Sequence, residues 1–335
     1  MPFWTGIRKT SVSLKDSDIL IQEINTLIEK DAIEPVRQQD AATGFYSTFF
    51  LVPKKNGTMR PVINLRPLNR YLKKIHFKMD TLTKVLNLVK IGDWAISLDL
   101  SDAYLHIPIF QKHRKFLRFS VQNRCYQWKV LCFGPTSAPR VFTKMVSVVA
   151  AFLRTQNVRL VVYLDDWLVV NQSKNQLYQD RKKCLDLLNS LGFLINREKS
   201  SLVPTQNLIY LGGQFHLDKG LVCPTQERID KLNMAILILS SGNAVSAFHF
   251  LQLLGIMASC IELIPNARLF MRPVQLHLLS FWRPSCQDLS IKIPVTPHLK
   301  SHLSWWKDSA NTLRGQYFQL AQTSVTITTD ASKTG

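Results

Sequence analysis

The stretch VVYLDDWLVV, Val161 to Val170, decides how this chain folds. Two adjacent carboxylates, Asp165 and Asp166, stand between two β-prone apolar runs, the pattern of a tight hairpin with its acids at the tip. Acids placed there add nothing to a core. A solvated turn is the ordinary explanation for such a pair, but Asp-Asp is not a favoured two-residue loop; Asn-Gly and Asp-Gly adopt the required backbone more easily. A third carboxylate, Asp99, closes a short apolar strand upstream in WAISLDLSDAY, Trp94 to Tyr104. If the two strands are neighbours in one sheet, three carboxylates converge. Carboxylate oxygens are hard ligands suited to Mg²⁺, which usually shares its shell with substrate phosphates. Two such ions about 4 Å apart can clamp an in-line phosphoryl transfer.

The bulk composition fits a nucleic-acid partner. The chain has 335 residues, 46% of them hydrophobic, and a formal net charge of +19. That length allows about two domains or a few subdomains. A globular chain this basic meets a polyanion, nucleic acid or an anionic membrane surface, unless the charge is merely a solvated face. No apolar run reaches the ~18 residues of a membrane span, and the first residues, MPFWTGIRKT, do not read as a signal peptide. The expected setting is therefore intracellular, in cytoplasm or nucleus. Six scattered cysteines form no Cys-x-x-Cys pair, so they read as reduced thiols rather than zinc ligands. His298 and His302 have ligand-like spacing but no cysteine pair near them.

Working outward, Leu20, Ile24, Leu27 and Ile28 predict an N-terminal helix, with Ser17 as its cap and Pro35 past its end. Two β-rich runs, Tyr46 to Val52 and Met59 to Leu65, flank a Lys-Asn-Gly turn and predict a hairpin bearing Lys54, Lys55 and Arg60. Ile107 to Phe110 reads as a sheet continuation. A second hairpin is expected around Asn123-Arg124. A helix should follow Thr136 or Ser137, burying Phe142, Met145, Val149 and Phe152. Leu177 to Leu191 reads as an amphipathic helix stopped by Gly192. After Pro224 the character becomes helical: Ile229, Leu232, Ile236 and Leu239 mark one helix, and Phe248, Leu251, Leu254 and Ala258 another. Residues 283–300 read as a linker, with Trp305-Trp306 anchoring a small packed element.

Lys54 and Arg60 stand where a triphosphate could be gripped, Arg with a bidentate fork; alone they are an ordinary charged hairpin. Tyr104 follows Asp99 closely and could pack under an incoming sugar; by sequence physics alone, core packing is the simpler role.

The ordered series LVPKKNGTMRPVINLRPLN, SLDLSDAY, FGPTSAPRVF, YLDD, LGFLINREKS and YLGG resembles the successive polymerase motifs of reverse transcriptases from retroviruses and LTR-type retrotransposons. The likeness is close from about Asp31 to Gly220. FHFLQLLGIMASCIELIPNARLFMRPV and the terminal TITTDASKTG resemble the thumb and the opening of a ribonuclease H domain in DIRS-type elements. The resemblance implies an α/β (α+β) right-hand polymerase with fingers, a ferredoxin-like palm and a helical thumb. Its parts would be residues 1–92 (N-terminal helix and fingers), 93–222 (palm with an inserted fingers segment), 223–282 (thumb), 283–324 (connection) and 325–335 (a truncated ribonuclease H start).

Carried over residue by residue, Asp99, Asp165 and Asp166 match the catalytic metal ligands, with Leu100 adding backbone. Lys54 (or Lys55, since turn length leaves the alignment open), Arg60, Asp102 and Ala103 would contact the nucleotide triphosphate. Tyr104 matches the steric gate for deoxyribonucleotides. Phe133 and Gly134 would line the nucleotide and template pocket; Phe133 stands where retroviral enzymes commonly carry Gln. Lys199 matches a lysine proposed to protonate pyrophosphate. Leu211, Gly212 and Gly213 resemble the primer grip, and Asp330 the first ribonuclease H carboxylate. The implied cofactor is Mg²⁺, two ions, with Mn²⁺ as a substitute. The implied partners are dNTPs, an RNA template and a DNA primer or RNA–DNA hybrid. A lone Asp330 cannot hold two metals, so polymerase chemistry without ribonuclease H activity is expected, from a fragment of a larger polyprotein. A catalytically inactive nucleic-acid-binding remnant is the competing reading. An RNA-copying RNA polymerase is a third, disfavoured by Tyr104.

Overall fold

The computed structural model describes residues 6–10, 14–53 and 59–318. The chain divides into two compact units. Among the described residues no helix is long and apolar enough to cross a membrane.

The first unit comprises residues 1–80, 97–167 and 180–202. Its N-terminal helix, Leu14–Glu29, buries Leu20, Ile24 and Leu27. Two expectations fail here: Ser17 lies inside the helix rather than capping it, and Ile28 is exposed. The helix ends in a left-handed turn at Asp31 (φ 54°), where the Ala32 N–H donates to the Leu27 carbonyl. That crossing bond gives the C-terminal carbonyls a partner.

The expected charged hairpin is present as Phe49–Pro53 paired with Met59–Ile63, in register from Phe49↔Ile63 to Pro53↔Met59. A three-stranded sheet runs Ile33–Pro35, Arg124–Trp128, Arg118–Val121. Its hairpin turns on Gln122-Asn123, both at positive φ, so Arg124 opens the return strand instead of sitting in the turn. Phe45, Phe49, Phe119, Tyr126 and Trp128 interlock with Leu20 and Ile24 in one core. Ile107 to Phe110 forms no strand; Pro108 makes a single bridge to Val130.

The helix Ala138–Thr155 buries Phe142, Val146, Val149 and Leu153. Met145 is only partly buried, and Phe152 is 50% exposed, contrary to expectation. The helix carries apolar residues around much of its girth, so periodicity picked a face offset from the true one. The helix Ala247–Ser259 repeats the error: Phe250, Leu253 and Met257 are buried, while Phe248 and Leu251 face solvent.

The second unit comprises residues 81–96, 168–179 and 203–335. Its four-stranded sheet runs Asn207–Tyr210, Gly213–His216, Leu221–Pro224, Gln316–Tyr317. The helices Gln226–Ser240, Ala247–Ser259 and Ala267–Phe281 follow. Residues 283–300 are not a bare linker: Lys292–Pro294 pairs with Ala244–Ser246, and Pro297 opens the helix Pro297–Lys307. Trp306 is fully buried and donates to the Phe270 carbonyl, while Trp305 stacks on the Phe270 ring at 3.9 Å.

Candidate active site

A four-stranded sheet, ordered Arg159–Tyr163, Asp166–Asn171, Trp94–Asp99, Ser201–Thr205, sets the site. The strand ending in Asp99 is therefore the neighbour of the strand that begins with Asp166. Ala95, Ile96, Leu98, Val161, Trp167, Leu168, Val169 and Val170 are all buried, which fixes the register of these strands against their surroundings. The acids emerge where the apolar runs stop.

The hairpin turns on Leu164-Asp165, one residue earlier than its acids suggested. Leu164 takes φ 55°, a left-handed conformation that costs an L-residue about 1–2 kcal/mol. Strain of this kind concentrates at functional sites. It puts Asp165 in the turn and Asp166 at the head of the strand. The Leu100 N–H donates to the Asp165 carbonyl at 3.1 Å, which ties the turn to the end of the Asp99 strand.

The segment after Gly192 supports Asp99. The Asn196 N–H donates to the Asp99 carbonyl at 2.8 Å, and the Ser200 hydroxyl accepts from the Asp99 N–H at 2.9 Å. The Asn196 side chain also bonds the Asp99 carboxylate. Asn196 and Ser200 were not foreseen; they matter through contacts across the fold that no local pattern announces.

Electrostatically the three carboxylates form one group. Burial first, then the charges of Asp165 and Asp99, push the Asp166 carboxyl up to about 6, with Lys199 opposing them. Asp99 is raised by burial first; the Lys199 charge and the Asn196 hydrogen bond pull it back, and Asp165 raises it. Lys199 thus acts electrostatically on two of the acids. Among the described residues, however, no three His, Cys, Asp or Glu side chains close into a ligand set ready for an ion. The Asp99 and Asp166 strands are neighbours, and the charges of the three carboxylates act on one another. The donor chemistry nevertheless fits a hard divalent cation: oxygen ligands carrying excess negative charge, partly desolvated.

Asp102 adopts φ 49° and opens the short 3-10 turn Ala103–His106; its carboxylate pairs with Lys30 at 2.8 Å. Ala103 and Tyr104 are buried. The Tyr104 ring meets Phe142 edge-on at 5.3 Å and Phe133 edge-on at 4.7 Å. Burial raises its hydroxyl pKa, and the Asp165 charge adds to that. Tyr104 therefore belongs to the core and borders the acids at once. Phe133 is 63% exposed, and Gly134 takes φ 118°. Lys54 lies outside the described residues, as does the side chain of Arg60, whose backbone forms part of the strand Met59–Ile63.

Leu211, Gly212 and Gly213 lie in the second unit, at the hairpin between Asn207–Tyr210 and Gly213–His216. Leu211 and Gly212 both have positive φ, the requirement of a type I′ turn. Arg228 clamps it, donating to the Leu211 carbonyl at 3.3 Å and the Ser259 carbonyl at 2.7 Å. His298 and His302 hydrogen-bond each other, Nε2 to Nε2, at 3.2 Å. Asp330 lies outside the described residues.

Residues 52–215 match the family model described as reverse transcriptase (RNA-dependent DNA polymerase). That span resembles a reverse transcriptase domain. It holds all three aspartates, Tyr104, Lys199 and the Leu211–Gly213 turn. Proteins similar to this chain include the Transposon Tf2-3 polyprotein of Schizosaccharomyces pombe, 27% identical over 181 residues, covering 54% of this chain. The Tf2-7 polyprotein is 26% identical over the same length. The chain spans 13% of each of these polyproteins. In fold it is similar to the foamy viral protease-reverse transcriptase dRH solved in complex with double-stranded DNA. That match has a TM-score of 0.75 at 19% identity, covering 93% of this chain and 50% of that one. The foamy viral protease-reverse transcriptase in complex with RNA/DNA hybrid gives 0.69 at 17% identity, covering 91% and 39%. The expected mixed α/β polymerase architecture is thus the observed one.

Proposed function

We propose that this chain is the polymerase part of a retrotransposon polyprotein. It extends a primer 3′-hydroxyl with dNTPs on an RNA template, and the product is DNA. The observation that supports this most is the pairing of the Asp99 strand with the Asp166 strand inside a matched reverse transcriptase domain.

Asp99, Asp165 and Asp166 would hold divalent metal, with the Leu100 backbone beside them; we assign two Mg²⁺, replaceable by Mn²⁺. Bound there, the ions would acidify the primer hydroxyl and neutralise the leaving pyrophosphate. The protein supplies position and field. Asn196 and Ser200 fix the end of the Asp99 strand, so that carboxylate keeps its aim. Lys199, whose charge acts on Asp166 and Asp99, would give a proton to the leaving group. The backbone at Asp102-Ala103, with Lys54 and Arg60, would contact the triphosphate. Tyr104, held by Phe142 and Phe133, would exclude a 2′-hydroxyl by bulk. Leu211–Gly213 would guide the primer end.

We assign residues 1–92 to fingers, 93–222 to palm, 223–282 to thumb, 283–324 to connection and 325–335 to a ribonuclease H start. The net charge of +19 suits a template–primer tracked through its phosphates and shape. Primer extension on an RNA template with Mg²⁺ and dNTPs tests the reading. DNA synthesis is expected; folded protein that binds hybrid yet adds no nucleotide would favour an inactive nucleic-acid-binding remnant.

A further inference from the structure

The loop Phe133 to Ser137 carries an exposed aromatic ring at the edge of Tyr104, and one side chain outside the loop holds it. Asn69 ends the short helix Arg66–Asn69. Its Nδ2 donates to the Gly134 carbonyl at 2.9 Å, and its Oδ1 accepts from the Thr136 N–H at 2.9 Å. Both ends of one amide are thus used, so the side chain cannot flip without losing both bonds. Among the described residues these are the hydrogen bonds that tie Gly134 and Thr136 to another element.

Packing makes the join close. A Cβ on Gly134 would stand 3.2 Å from Leu65 Cδ1 and 3.5 Å from the Ile63 carbonyl, and the backbone there has φ 118°. Leu65 and Leu68, on either side of the helix start, are buried. The helix follows directly on the strand that carries Arg60. One face of the loop is therefore fixed to the Arg60 side of the unit, while its Phe133 ring leans edge-on against Tyr104 at 4.7 Å.

We propose that Asn69 is a positioning residue for nucleotide selection. It sets where Phe133 stands against Tyr104, and so how the pocket closes on the base and sugar of an incoming nucleoside triphosphate. The inference rests on the polymerase reading. It concerns binding and choice of nucleotide, not the phosphoryl-transfer step, because Asn69 bonds backbone and not the acids.

The test is single-nucleotide extension by the full chain with Asn69→Ala and Asn69→Asp, each alone and with Phe133→Ala. With both hydrogen bonds lost, Asn69→Ala should raise KM for dNTP roughly tenfold, with kcat within about twofold. Asn69→Asp should be worse than Asn69→Ala, because it sets a carboxylate oxygen against the Gly134 carbonyl. Primer–template affinity should not change. In the Phe133→Ala background the Asn69→Ala effect should largely vanish, since residues acting through one contact are not additive. Amide exchange at Thr136 should quicken in Asn69→Ala but not in Asn69→Asp, whose carboxylate can still accept the Thr136 N–H. Unchanged KM, full additivity with Phe133→Ala, or a loss confined to kcat would overturn the role while leaving the polymerase reading intact. A wild-type chain that extends no primer would overturn both.

Discussion

Asp166 carries the clearest conflict between folding and chemistry. Its carboxyl is pushed from an ordinary 3.8 up to about 6 by burial and by two neighbouring acids. The folded state thus holds the proton more tightly than the unfolded chain does. The stability this group contributes is full below about pH 4 and is lost as pH rises through about 6. In metal-free protein, Asp166→Asn should therefore raise stability at pH 7.5 by about 1–2 kcal/mol, discounted for partial solvent screening. The gain should fade toward pH 4, and DNA synthesis should be abolished. Thermal melts across that pH range check it; a variant less stable than its parent at pH 7.5 would contradict the electrostatic account. At Tyr104 the prediction concerns selection. Tyr104→Ala removes a ring wedged between Phe142 and Phe133 and should admit ribonucleotides, raising their kcat/KM relative to dNTPs by more than tenfold. Unchanged sugar discrimination would return Tyr104 to plain core packing.

At the scale of elements, hairpins position the acids and the Leu211–Gly213 turn. Gly212 lies at φ 75°, and a Cβ there would stand 2.0 Å from the Arg228 guanidinium. Gly212→Ala should cost about 1–2 kcal/mol in unfolding free energy, from the left-handed backbone and the displaced clamp. It should also shorten extension products made at limiting primer–template. A denaturant titration and product-length distributions check both. The strands themselves were legible in the sequence: apolar runs broken by acids, and the charged hairpin around Lys-Asn-Gly. Turn positions were each read one residue late, at Leu164-Asp165 and Gln122-Asn123, because turn type depends on φ signs that composition only suggests. Helix faces failed where the helix is apolar around much of its girth, as in Ala247–Ser259. Asn69, Asn196, Ser200 and Arg228 were invisible, since their partners lie elsewhere in the chain and their bonds are to backbone.

For the whole molecule, the order of motifs carried more than any single one. Asp99 and Asp165 are far apart in sequence, and only the fold makes their strands neighbours. Charge acts at this scale too. With +19 overall, binding of an RNA–DNA hybrid should weaken linearly in log–log form as salt rises, the slope reporting the phosphates neutralised. A flat salt dependence would mean that the basic surface is not the binding surface. The central claim is that Asp99 and Asp166 on two adjacent strands, with Asp165 in the turn between strands, perform DNA synthesis. The most direct measurement compares wild type with Asp165→Asn in RNA-templated primer extension with Mg²⁺, with hybrid affinity measured in parallel. Extension by the wild type, none by the variant, and equal hybrid binding by both is the expected result; extension surviving Asp165→Asn would contradict it.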